Sequence, residues 1–263
     1  MLNIARFAEK SAVCRSWCTL LFYICNYEYR MRLGIAKSEM GFPLVSAFAF
    51  RYICSQSDMF EKTTAKSADS IIYPTNKIIE NMDLTLNLNS RLQPMHRHDL
   101  EDALQEILEK GKLGEVTGGG TLQSPQTGEI VSCDIEIHLN DDKQDSVNRL
   151  VELMNIIGIP KGSALLCTAP EIKIEVGTLE GLAFYVNGTD LPDEIYESCD
   201  INHVIEQMES AMNGIGRFYS YWEGNEWTAL YFYGVSFVEM KQKIEPFIAS
   251  YPLCQKSRIE QIA

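Results

Sequence analysis

His96–Arg97–His98 is the densest cluster of titratable bases in the chain. Alternate histidines can share a metal ion when a strand presents both, and a third ligand is available from His138, Asp134 or Glu136. A zinc site needs three or four well-placed N, S or O ligands. His96 and His98 instead fall between Pro94 and Asp99, in a segment read as a loop that hydrogen-bonds a helix start, with Arg97 paired to a carboxylate. His96, His98 and His138 are therefore metal candidates outweighed by a structural role. The expectation is no metal and no cofactor. Cys14 and Cys18 have a four-residue spacing, but no second pair completes a zinc site.

Gly118–Gly119–Gly120–Thr121 lies inside a run that otherwise reads as a strand. Each strand glycine weakens the strand and offers nothing to pack, so close approach of a partner strand or ligand is one expectation and a bulge the other. No Gly-Lys-Ser/Thr follows, which excludes a P-loop. Asp134 and Glu136 alternate outward on the next strand and, with Asp141 and Asp142, read as a solvated acidic face. Tyr219, Tyr221, Trp222, Trp227, Tyr231 and Tyr233 crowd one hairpin. Alternation puts Tyr231 and Tyr233 opposite Leu230 and Phe232, on a helix-free sheet face suited to packing between repeats or to a partner. Candidate partner- or ligand-binding residues are thus Gly118, Gly119, Gly120, Thr121, Asp134, Glu136, Tyr231 and Tyr233. Gly-x-Ser-x-Gly is absent, and no Ser-His-Asp or Cys-His set can be named from spacing. No catalytic residue is assigned.

The elements that must position these residues repeat. Asp83–Leu92 alternates leucine with polar residues, as a half-buried strand does. Asp99 is placed to cap a helix whose apolar positions recur at three and four, with Gly111 and Gly114 stopping it. Strands over Glu115–Gln123 and Glu129–Leu139, a helix from Asp145 and a strand over Ala164–Val176 complete the first unit. The second unit follows the same order: Gly181–Val186; a helix from Asp193 to Met212, with an interruption expected at Cys199–Asp200–Ile201–Asn202; and a hairpin of Phe218–Trp222 and Thr228–Tyr233. A helix capped by Ser236 and a final strand over Leu253–Ile262 close it. A helix after the first and third strands of each unit, with right-handed crossovers, gives the ferredoxin-like topology. The expected class is α+β: two tandem ferredoxin-like βαββαβ units, residues 82–177 and 178–263, behind an irregular or helical extension at residues 1–81.

Four strings carry a resemblance: Gly111–Thr121, Cys133–Ile137 (CDIEI), Ile159–Ser163 (IPKGS) and Leu230–Gly234 (LYFYG). They are similar to an uncharacterised bacterial family of tandem ferredoxin-like proteins. The resemblance covers about residues 83–263, leaves residues 1–81 outside, and implies the fold without an activity or functional residues.

Charge narrows the partner. Residues 1–81 carry 10 Lys/Arg against 7 Asp/Glu, or +3; residues 82–263 carry 13 against 29, or −16. An acidic body repels phosphate backbones over a Debye length of about 8–10 Å, which argues against direct nucleic-acid binding. It steers a basic protein instead, a nuclease being one example. The apolar run Trp17–Cys25 is shorter than the roughly 20 residues that span a bilayer, and no cleavage site follows it. Residues 1–81 are read as a helical extension, a peripheral anchor or, by slight preference, residues upstream of the native start at Met82. The single cysteines Cys133, Cys167, Cys199 and Cys254 read as small buried hydrophobes. The functional expectation is a non-enzymatic, cytoplasmic, acidic binding protein, of inhibitor or immunity type, that masks a basic partner. A small-molecule or regulatory module with a site between the repeats is the alternative, and an enzyme of unrecognised type the third.

Overall fold

A computed structural model describes residues 82–168 and 171–263. The expectations for residues 1–81, Cys14 and Cys18 included, lie outside the described residues.

The described chain is mixed α and β with two antiparallel sheets. The elements of the first are β1 (Met82–Leu88), α1 (Pro94–Gly111), β2 (Gly114–Gln123), β3 (Ile130–Leu139), α2 (Gln144–Ile157), β4 (Ser163–Thr168) and β5 (Glu171–Val176). The sheet order is β2-β3-β1-β4-β5. The second sheet follows with β6 (Glu180–Asn187), α3 (Asp193–Ser198), α4 (Ile201–Ala211), β7 (Gly216–Glu223), β8 (Trp227–Gly234), α5 (Phe237–Ser250), a 3-10 turn (Pro252–Cys254) and β9 (Arg258–Gln261). Its order is β7-β8-β6-β9. With β5 set aside, both sheets place their strands second–third–first–fourth.

Alternation produces the layers. In β1, Leu84, Leu86 and Leu88 are buried and pair with Ile137, Ile135 and Cys133 of β3, so six apolar side chains share one sheet face. The buried residues of α1 (Leu100, Leu104, Leu108) and α2 (Val147, Leu150, Met154) join that core. Fully burying one such leucine contributes roughly 1.5–3 kcal/mol. In the second sheet Leu182, Phe184, Leu230 and Phe232 form the corresponding face, with Val204, Ile205 and Met208 of α4 and Met240 and Ile244 of α5 in the same core.

Several boundaries differ from those read in the sequence. The helix α1 begins at Pro94, five residues before Asp99, because proline's fixed φ and missing N–H suit the first helical position. His96, Arg97 and His98 therefore lie in the first helical turns and not in a loop. The run Ala164–Val176 is two strands, β4 and β5, paired as a hairpin; Pro170, which has no amide to donate, was the sequence signal against one continuous strand. Leu253–Ile262 holds a 3-10 turn and only a short strand. The expected interruption is present but shorter, at Cys199–Asp200, with Ile201 and Asn202 already helical and the Asp200 carboxylate accepting from the Asn202 amide at 2.8 Å. Ser236 caps α5, accepting from the Glu239 amide. Cys133, Cys167 and Cys254 are buried and Cys199 is half-buried, all as free thiols. Among the described residues no helix is long and apolar enough to cross a membrane.

Candidate functional site

Both sheets have one face that their helices leave uncovered, and the two faces differ. On the second sheet this face carries Tyr185 from β6 and Tyr231 and Tyr233 from β8; register places Ala183 opposite Tyr231 and Gly181 opposite Tyr233. All three tyrosines are buried, at 1 % exposure or less. Their hydroxyls meet polar groups from the first half of the chain. Glu129, just before β3, accepts from Tyr185 at 2.6 Å and from Tyr231 at 2.9 Å, and forms an ion pair with Arg91. Arg91 also donates to the Tyr185 hydroxyl at 2.8 Å, and its amide donates to the Tyr233 hydroxyl at 3.0 Å. Burial and the Glu129 charge push the Tyr231 hydroxyl's pKa up, and burial lifts Tyr233 to about 12. Burial works against the Arg91 charge, but Tyr185, Glu129 and Tyr231 around it raise its pKa on balance.

The start of α1 closes the same contact. The Ser220 hydroxyl of β7 lies 2.9 Å from His96 Nδ1 and accepts the Gln93 amide at 2.9 Å, while the Gln93 side chain donates to the Tyr221 carbonyl. His96 is buried, and desolvation pulls its pKa down to about 4, so it is neutral near pH 7. Tyr231 and Tyr233 thus sit inside a contact between the two sheets' elements rather than on an exposed face. Arg91, Gln93, His96, Glu129 and Ser220 belong to this contact. Spacing alone could not reveal that, because the bonded pairs lie 38 to 142 residues apart.

On the first sheet the uncovered face is polar and acidic. Register puts Asp83 opposite His138, Thr85 opposite Glu136 and Asn87 opposite Asp134. The same face takes Glu115, Gly118, Gly120 and Leu122 from β2, and Leu166, Lys173 and Glu175 from β4 and β5. Asn87 donates to Asp134 at 2.6 Å and Lys173 pairs with Glu175 at 2.7 Å. Glu136 is exposed, and Leu122 is 59 % exposed.

The glycine triplet is the edge of this face. β2 has one neighbouring strand among the described residues, β3, and a bulge falls between Val116 and Gly118. The three glycines are not equivalent. A Cβ on Gly119 would collide with the Arg97–Glu101 ion pair of α1 and lie 2.5 Å from the Asp134 carbonyl oxygen. Gly119 is therefore required for the close seating of α1 on the strand. A Cβ on Gly120 would have nothing within 4 Å, and one on Gly118 would meet only the mobile end of Glu136 at 3.1 Å. Packing accounts for the middle glycine and leaves its two neighbours, on the uncovered face, unaccounted for. Thr121 turns toward the core side, with its hydroxyl 3.8 Å from the Cys133 thiol.

The metal candidates do not converge. His96 bonds Ser220, His98 bonds Glu101 at 2.7 Å, and His138 bonds Asp83 at 2.6 Å. Among the described residues no group of three or more His, Cys, Asp or Glu is placed to hold a metal ion. A cavity lined by Leu88, Ser90, Leu92, Leu100, Ile159, Pro160 and Tyr219 lies at the contact between the two halves, with about 10 Å³ open to the centre of a water molecule. That is room for about one water.

No protein-family model matches the chain, and no curated protein matches it significantly. Solved structures give distant likenesses. One is a mutant chlorite dismutase from Candidatus Nitrospira defluvii, at 9 % identity over 69 % of this chain and 90 % of that one, with a TM-score of 0.23. Another is the first two RRM domains of the yeast poly(U)-binding protein Pub1, at 8 % identity over 69 % and 99 %, TM-score 0.19. A third is an anthrone oxidase-like protein, at 10 % identity over 70 % and 90 %, TM-score 0.21.

Proposed function

We propose that residues 82–263 form two tandem ferredoxin-like units and act as a non-enzymatic, acidic binding protein of inhibitor or immunity type, which masks a basic protein partner. The observation that carries this reading is the contrast between two faces of like strand order. The face of the second sheet is consumed by the contact around Arg91, Glu129 and the tyrosines. Among the described residues the face of the first stays open and presents Glu115, Asp134 and Glu136 beside an edge strand, β2, that has no partner on its outer side. Complementary charge speeds encounter and selects the partner, so association should weaken with salt. The small cavity between the halves gives no support to a small-molecule site there.

The test is retention of basic proteins from the source cell extract at low salt. Three full-length chains are compared: the wild type, Asp134→Asn with Glu136→Gln, and Glu194→Gln with Glu197→Gln on the exposed helix α3. The expected result is one partner held by the wild type and the α3 variant and lost by the sheet variant. Equal retention by all three chains would remove the reading.

A further inference from the structure

We infer that the partner enters as an extended segment that adds a strand to the outer edge of β2, with basic side chains at alternate positions laid across Gly118 and Gly120 toward Glu136 and Asp134. The inference rests on the basic-partner reading above and deepens it by naming the segment's form and pattern. Neighbouring strands lie about 4.8 Å apart, so an added strand sits two spacings from β3. At that distance the side chains of the strand between would ordinarily screen β3 from the newcomer. Here the screening positions are empty: Gly118 stands opposite Glu136 and Gly120 opposite Asp134. A lysine or arginine stem can lie across each bare position and bring its charged head to a β3 carboxylate. No packing contact demands glycine at position 120, so the open lane is the feature that its presence explains.

Three details fix the register and the occupant. The Val116 amide is taken by the Gln105 side chain at 2.6 Å, and the bulge follows it, which leaves Gly118–Gln123 as the length open to pairing. Leu122, on the same face two residues past Gly120 and largely exposed, offers an apolar contact at the far end. A second copy of this chain is a poor occupant, because edge-to-edge pairing of β2 would lay glycines and no basic side chains across the lane, and would extend one acidic face by another. An extended basic segment meets opposite charge instead, and main-chain hydrogen bonds supply sequence-independent affinity.

The probe is a labelled ten-residue peptide with lysine at alternate positions, threonine between them and leucine at one end, titrated into the full chain at low salt. Two N-methylated versions block one or the other alternate set of its amides. The inference expects binding that one N-methyl set weakens by at least about tenfold and the other leaves unchanged. Gly120→Val should keep its melting temperature and lose at least about tenfold in affinity, since the added side chain closes the lane without a clash. Equal binding of all three peptides, or an unchanged affinity in Gly120→Val, overturns strand addition while leaving the basic-partner reading to its own test. No binding of the parent peptide overturns strand addition as well. A concentration-dependent dimer that Gly120→Val dissolves also overturns it, because a second copy then holds the edge.

Discussion

The two sheets are instructive as a pair. They share a strand order and both carry helices on one side, yet the other side of each has met a different fate. Behind the second sheet, large tyrosines are fully buried, and their hydroxyls are matched to Arg91, Glu129 and the Arg91 amide. Behind the first, short polar and acidic side chains alternate with glycine. A buried face needs both apolar area and a partner for each polar tip, which tyrosine provides when a carboxylate and a guanidinium wait at the right depth. A face meant for solvent or for a reversible partner needs neither. The difference between a buried and an open sheet face can therefore be read from which residues occupy equivalent positions.

The comparison can be broken from several directions. The largest effect is expected at Gly119→Val, where the new side chain meets the Asp134 carbonyl and the Arg97–Glu101 pair. A loss of about 3 kcal/mol or more should appear in chemical denaturation, against no loss for Gly120→Val one residue away. Equal effects at the two positions would show that the triplet is a uniform bulge. Next is Glu129→Ala, which leaves the partly buried Arg91 without its carboxylate. Allowing for the residual exposure of both side chains, a cost of about 2–3 kcal/mol is expected, whereas Glu136→Ala on the open face should cost under about 0.5 kcal/mol.

Acid sharpens the same contrast through His96. Its folded pKa of about 4 lies below the ordinary value of 6.5, so the unfolded chain binds the proton more readily. The stabilisation is complete above about pH 6.5 and is lost as pH falls toward 4. Between pH 6.5 and 5 the loss is about 2 kcal/mol. Stability curves of the wild type and His96→Gln should converge over this range, because glutamine removes the titration. A parallel pair of curves would show that His96 does not carry it. Within the buried contact the smallest loss is expected from Tyr231→Phe, which deletes one hydrogen bond to a carboxylate while Tyr185 and Arg91 still hold Glu129; about 1.5 kcal/mol is expected from thermal denaturation.

Much of the architecture was legible because leucine alternation in Asp83–Leu92 and the spaced apolar positions of α1 and α5 are local signals. The break at Asp200 and the cap at Ser236 were legible for the same reason. The early start of α1 was not, since Asp99 offered a plausible cap and Pro94 was read as opening a loop when it is the first helical residue. The burial of Tyr231 and Tyr233 was open as packing between repeats, but their partners were hidden. Arg91 looked like an ordinary outward residue of a strand, and only the folded chain brings it to Tyr185 and Glu129. The glycine triplet was visible as an oddity. Its division into one packing glycine and two that bare an acidic lane depends on which face each residue takes after the bulge at Thr117, which no local pattern encodes.

The most direct measurement is hydrogen exchange on the full-length chain, followed amide by amide along β2 and β8 without and with a bound basic partner. Slow exchange on β8 in both states is expected, together with fast exchange of the outward amides of Gly118–Gln123 that slows on binding. Protection of those β2 amides in the free chain equal to that of β8 would contradict the view that the first sheet keeps an open edge.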